Sequence, residues 1–484
     1  MPNDASPAAQ GEFRGDFTRD TFNPLRHFSR VLMQQGRVQL DADWNEQTSI
    51  LLHLMRSLAA DVLGPYAGSV GAFKIGAPVS ETVNDRTRTT FPIAAGHYYV
   101  DGILVEQEEA VEQEKASAYY TQPHFQPDDQ LADDRLPDPP YLLYLDVWER
   151  HVTDWQYPEV REVALRGPDT ATRAQVVWQV RWLRPTQGLP DVKTLKTDDG
   201  WAKFEADQLQ AGPAGLLQAK ARTDDPTTLD PCLVAPDAQY TGPENQLYRV
   251  EIHAVTAQAN NQPPQVTVKW SRDNSSLAFA VQKVIPNPQD TQEADFWVEN
   301  LGRDDRSMLA VDDWVEIVGG TQQLSGTAGQ MARVTGVHFD TPAVTVRGTK
   351  ALTISGGTQY TLRRWDHRGA DEAIAIAFDS AGKGVPIPLE YGIVVTPQIP
   401  PAAKSFIARP GDYWLIPART ETGDIEWPTA TAADGTVGRA FIPPHGIQHH
   451  YAPLAVIGVT AAGGVATVAD LRREITPSKL YTQM

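Results

Sequence analysis

From Trp44 to Leu63 apolar residues return at helical intervals: Trp44, Leu51 and Leu58 stand seven apart, and so do Thr48, Met55 and Val62. The alternating spacing of four and three is that of a helix-packing seam, which Ile50 and Leu54 widen. Asp43, with Glu46 three residues on, reads as an N-cap and capping box. Gly64-Pro65 closes the helix, giving about 30 Å of length at 1.5 Å per residue. Such a stripe has two readings, a helix docked on its own β domain or one member of an intersubunit bundle. Ahead of it, Phe13, Phe17, Phe22 and Phe28 fall at irregular intervals among Arg, Asp, Asn and Pro. These anchors fit neither the helical nor the strand period, so residues 1–43 are predicted to be an extended arm that buries its aromatics against another element or chain.

Beyond the helix the period becomes two. Tyr248, Val250, Ile252 and Ala254 alternate with Arg249, Glu251 and His253, and Val266, Val268 and Trp270 with Thr267 and Lys269, predicting half-buried strands. Residues 176–182 alternate likewise, while 141–148 and 313–318 are continuous apolar runs that suit strands buried on both faces. Residues 314–320, 332–337 and 344–346, with glycines between them, resemble a small barrel of hairpins. Five Asp and five Pro over 121–140 predict a solvated loop, and one short helix is expected at Gly200–Gln210. The chain therefore divides into an arm (1–43), a seam helix (44–70), a β domain (71–185), an insertion (186–245), a barrel-like domain (246–380) and a C-terminal β domain (381–484). The fold class is mainly β, in several small sandwich or barrel domains, with one arm and one amphipathic helix.

Composition narrows the function. With 42 basic and 61 acidic side chains the net charge is −19, and no Lys/Arg cluster offsets it, which disfavours nucleic acid. Arginine is nevertheless frequent in the arm, at Arg14, Arg19, Arg26, Arg30 and Arg37. Bidentate pairing to carboxylates gives such residues an orienting role at an interface, so docking on a neighbouring subunit is expected. The single cysteine, Cys232, excludes an intrachain disulfide and fits a reducing compartment. Without a basic and apolar leader or a long apolar stretch, neither export by signal peptide nor a membrane span is expected.

Several segments carry a family resemblance: Gly15–Pro24, Arg30–Glu46, Lys269–Asn274 (KWSRDN), Gly411–Arg419 (GDYWLIPAR) and Pro444–Leu454 (PHGIQHHYAPL). They resemble an uncharacterised bacterial family encoded beside contractile injection systems and phage-tail-like particles. The arm and helix are more distantly similar to baseplate and tail-fibre proteins. The resemblance implies a structural, baseplate-associated, fibre or anchoring part, assembled in the cytoplasm with other baseplate or tail subunits, as a homotrimer and without catalytic residue or cofactor. Its assembly interface would comprise Phe17, Phe22, Phe28, Arg30, Arg37, Trp44, Leu51, Met55 and Leu58.

Other chemistry is weakly signalled. His445, His449 and His450 would meet a metal only on a helix, which Pro443-Pro444 and Gly446 oppose, so structural hydrogen bonding is the stronger reading and a metal-dependent hydrolase the weaker. Trp365-Asp366-His367 puts an acid and a base on opposite strand faces. Asp312-Asp313 and Glu108-Glu109 fail as catalytic pairs for the same reason. Gly319-Gly320 and Gly356-Gly357 read as turns without a following phosphate-binding helix. Twelve tryptophans raise a glycan-binding alternative, for which loop residue Trp155 is the candidate, with a cell-surface glycan as partner.

Overall fold

The computed structural model describes residues 13–83, 86–108, 117–125, 135–165, 170–210, 215–221, 239–256, 264–302, 304–355, 358–379, 384–400, 406–431, 435–461 and 463–475. Cys232, Gly356-Gly357, Glu109 and much of the acidic loop lie outside them. The chain is mainly β, 41% strand and 13% helix. It forms two compact units, each gathered from separate stretches: residues 1–47, 151–174 and 212–447 in the first, and 48–150, 175–211 and 448–484 in the second.

The first unit holds a closed six-stranded barrel. Ala278–Pro286 pairs with Glu293–Val298, and the circuit continues through Ala343–Gly348, Gln330–His338, Trp314–Gly319 and Tyr360–Trp365 back to the start. Every pairing is antiparallel, and alternate residues fill the interior: Ala294, Phe296 and Val298, then Val344 and Val346, then Ala332 and Val334. Closure leaves no free strand edge. Gly320 opens a six-residue helix where the sequence predicted only a turn. Beside the barrel in the chain, an antiparallel sheet runs Ile374–Ala375, Gln265–Ser271, Gln246–Thr256, Tyr413–Arg419, Asp424–Ile425. Its apolar face, with Tyr248, Val250, Trp270 and Trp414, packs with Leu217, Ile393 and Val395 of a three-stranded sheet formed by Ile387–Pro388, Ile393–Gln398 and Leu216–Ala221.

The expectation that the two long strands of that sheet are half-buried is corrected. Arg249, Glu251 and Lys269, the polar partners in the alternation, are buried to 0%, 1% and 0% exposure. They escape the usual cost of buried charge by pairing with one another and with groups from the barrel and the arm.

The second unit packs two sheets: Val465–Asp470, His450–Val459, Tyr141–Val152 and Arg173–Leu183 in one, and Tyr66–Gly68, Gly96–Val100 and Ile103–Gln107 in the other. Phe73 lies edge-on to Trp178 at 4.9 Å, and the helix Asp198–Gln208, two residues earlier than predicted at each end, adds Trp201 and Phe204 to the core. A two-residue turn at Asp101-Gly102 joins Gly96–Val100 to Ile103–Gln107, both residues at positive φ (46° and 78°). Gly102 is obligatory there, because a Cβ would collide with the backbone carbonyl of Arg56 in helix α1, Asp41–Leu63. Arg56 also pairs with Glu149 at 3.0 Å, so this turn and ion pair seat the middle of α1.

Candidate assembly surface

The arm enters its own body first. Arg14 is 7% exposed; its Nη2 meets Glu251 Oε2 at 2.8 Å, and Nη1 donates to Ser275 Oγ at 3.3 Å. The Asn274 amide donates to the carbonyls of Phe13 (3.2 Å) and Gly15 (2.9 Å). Asn274 and Ser275 are both buried at positive φ, 50° and 57°, a left-handed pair rare for residues other than glycine. The KWSRDNSS segment is thus shaped as a cradle for the arm. Arg19 pairs with Glu426 at 2.8 Å, and Arg419 donates to the Thr18 carbonyl at 3.2 Å. Arg14 and Arg19 thus both have carboxylates of their own chain in contact.

Further along, the arm folds onto the start of α1. Thr18 donates through N and Oγ1 to Asp41, Thr21 Oγ1 to Glu46 at 2.7 Å, and the Val31 amide to Gln47 at 2.8 Å. The helix begins at Asp41, not at the predicted Asp43 cap. Leu40 accepts the Trp44 amide while its own N–H donates to Asp43 Oδ2 at 3.2 Å, so the capping bond is made one turn earlier. Gly64, at φ 82°, closes the other end with its amide on Ala60 O at 2.8 Å.

The seam of α1 faces outward. Trp44 is 66% exposed, Leu51 50%, Met55 67%, Leu58 66% and Val62 68%, whereas Ala42 and Ile50 on the opposite side are 2% exposed, so Ile50 does not widen the seam as its spacing predicted. Leu52 and Leu54 flank the seam, also exposed. Among the described residues, 13 of the 28 exposed large apolar side chains fall between residues 25 and 62. Of the other expected interface residues, Phe28, Arg30 and Arg37 are exposed, and Phe17 and Phe22 are half-buried against their own chain.

Behind Arg14 lies a chain of buried charges that the sequence did not reveal. Glu251 takes Arg14 and Arg249 on Oε2 and Lys269 on Oε1 (3.2 Å); Lys269 reaches on to Glu316 at 2.6 Å. Glu316 also accepts the Gly329 amide at 2.6 Å and the Trp365 indole at 2.9 Å. Burial raises the proton affinity of both carboxyls, but the surrounding cations outweigh it. Glu251 is held far below the carboxylate range, mainly by Arg14, Lys269 and Arg249; Glu316 is held at about 2, mainly by Lys269.

The family model for a family of unknown function, DUF6519, matches residues 13–200 and 202–472. The chain belongs to the DUF6519 family. No curated protein and no solved structure matches it.

The remaining candidates in this DUF6519 chain fall in different units. His445 is half-buried in the first unit, paired through its backbone with Tyr413, and held down at about 4 by desolvation and then by Arg249. His449 and His450, in the second unit, hydrogen-bond Asp146 (2.6 Å) and Asp101 (2.8 Å) respectively. Among the described residues no three His, Cys, Asp or Glu side chains group as a metal site, and no helix is long and apolar enough to cross a membrane. Asp366 accepts from Ser271 and Arg272, and His367 stacks on Trp314 at 5.7 Å.

Proposed function

We propose that this chain is a structural subunit of a contractile injection system or phage-tail-like particle, a baseplate-associated, fibre or anchoring part that joins its neighbours through its arm and α1. One observation carries the reading: the apolar seam of α1, Trp44 to Val62, stands in solvent along a helix whose other side is seated. Trp44, Leu51, Leu52, Leu54, Met55, Leu58 and Val62 are each 41–68% exposed along it, and apolar stripes of this kind mark interaction surfaces more often than bare monomer surface. The resemblance of residues 15–46 to baseplate and tail-fibre proteins supplies the kind of particle.

Partners are further copies of the chain together with other baseplate or tail subunits, assembled in the cytoplasm. The 4-3 seam suits another helix, and Leu52 and Leu54 widen it beyond the narrow stripe of a two-stranded pair, which favours a homotrimer. Truncation tests the arm's part: a chain lacking residues 1–43 is expected to retain cooperative unfolding of its β units and to lose incorporation into particles. Particles that still contain the truncated subunit at normal occupancy would defeat the proposal.

A further inference from the structure

Between its buried anchor and α1 the arm carries Leu25, Phe28, Leu32, Met33, Val38 and Leu40, all 44–83% exposed. The segment is nevertheless tied down along its length. Asn23 Oδ1 accepts the Leu25 amide at 2.9 Å, Gln47 accepts the Val31 amide at 2.8 Å, and the Leu40 amide ends on Asp43 at 3.2 Å. Midway, the Arg37 amide donates to the Gln34 carbonyl at 3.3 Å and closes a turn whose third residue, Gly36, stands at φ 70°. A turn with positive φ at that place alone is type II, which splays its two legs instead of pairing them as a hairpin. Neither leg joins a sheet of the described chain. The segment is therefore shaped by its own chain, while its apolar side chains are left in solvent.

Charge and apolar pattern both point to what covers it. Residues 25–40 contain Arg26, Arg30 and Arg37 and no acidic residue; all three are exposed, and they form no ion pair among the described residues. Helix α1 has the opposite character, with Asp41, Asp43, Glu46 and Asp61 against the one cation Arg56, which Glu149 already engages at 3.0 Å. The positions flanking its seam are Asn45, Leu52 and Ala59 on one side and Gln47, Leu54 and Asp61 on the other. In a helix bundle such positions lie at the rim and usually carry charge, yet only Asp61 does. Leu52 and Leu54, 41% and 50% exposed, thus call for an apolar cover beyond the neighbouring helices, and a cationic, apolar, preshaped segment is present in every copy.

We infer that residues 25–40 of one copy strap the α1 of a second copy, with Leu32 and Met33 on its Leu52–Leu54 flank and Arg30 and Arg37 toward its carboxylates. The inference rests on the homo-oligomer proposed above and adds which surface meets which. Segment on helix is a heterologous contact, and repeated around a threefold axis it closes into a ring in which each copy straps the next.

The test places cysteines in a full-length Cys232→Ser background, as Met33→Cys and Leu54→Cys, singly and together, and treats each protein with a short bis-maleimide crosslinker. The double variant should run as covalent dimers and trimers on a denaturing gel, and each single variant at the mass of one chain. Independently, Arg30→Glu with Arg37→Glu, two exposed positions, should weaken association by about tenfold or more in light scattering at low salt. A wild-type trimer whose double-cysteine variant gives only one-chain products overturns the inference and leaves the α1 seam as the interface. Crosslinking through Met33→Cys alone, which would mean that arm meets arm, or association unchanged by the charge reversal overturns it as well. A monomeric wild type overturns it together with the homotrimer on which it rests.

Discussion

Replacing Lys269 with methionine keeps the length of the side chain and deletes the one cation that bridges Glu251 and Glu316. Glu251 retains Arg14 and Arg249, whereas Glu316 keeps only the Gly329 amide and the Trp365 indole as direct partners among those described. Stranding a buried carboxylate in this way costs about 3–5 kcal/mol. For a unit of this size that lowers the melting temperature by roughly 5–10 °C at neutral pH. The pH dependence is the sharper test. In the native chain Glu316 sits at about 2, below its unfolded value, so its contribution is present above about pH 4.5 and is lost as pH falls toward 2. Without Lys269 burial dominates and the folded value rises above the unfolded one, reversing the sign: the variant loses stability as pH rises through that raised value. The melting deficit measured by differential scanning fluorimetry should therefore be largest at pH 7–8 and shrink toward pH 4.5. Adding Glu316→Gln should recover most of it, because the stranded charge is gone. A deficit under about 2 °C, or one constant between pH 4.5 and 8, would refute the reasoning.

Two further perturbations probe how the arm and helix are held. Arg14→Ala removes the arm's buried anchor, at a cost of about 2 kcal/mol, so chymotryptic cleavage at Phe17 and Phe22 should accelerate roughly thirtyfold, and an unchanged rate would place the anchor elsewhere. Gly102→Ala forces a left-handed alanine and a Cβ into the Arg56 carbonyl, so the second unit should lose about 2–4 kcal/mol by denaturant unfolding. A loss under 0.5 kcal/mol would mean that the turn does not seat α1.

What the sequence disclosed follows the range of its signals. The seam of α1 repeats over five turns and its closing glycine is adjacent, so helix and C-terminus were legible from spacing alone. The barrel was legible because three of its strands are short apolar, branched runs with glycine between them. The buried charges were not, since Arg249, Glu251 and Lys269 alternate with apolar residues as solvent-facing positions do. Their partners Glu316 and Arg14 lie 47 and more than 230 residues from them, and no local pattern reports such pairing. The misplaced N-cap is the converse case, since Asp43 does accept a capping bond and only its position relative to Leu40 depended on the arm folding back.

Whether the outward seam of α1 is an assembly surface is read out directly by size-exclusion chromatography with light scattering. The wild-type chain is expected to elute as an oligomer of about three times its 53.2 kDa mass, and the triple variant Leu51→Glu, Met55→Glu, Leu58→Glu as a monomer with unchanged melting of the β units. The same oligomer in both proteins would contradict it. A monomeric wild type whose incorporation into particles is still lost on the triple substitution would keep the surface and reassign its partner to another subunit.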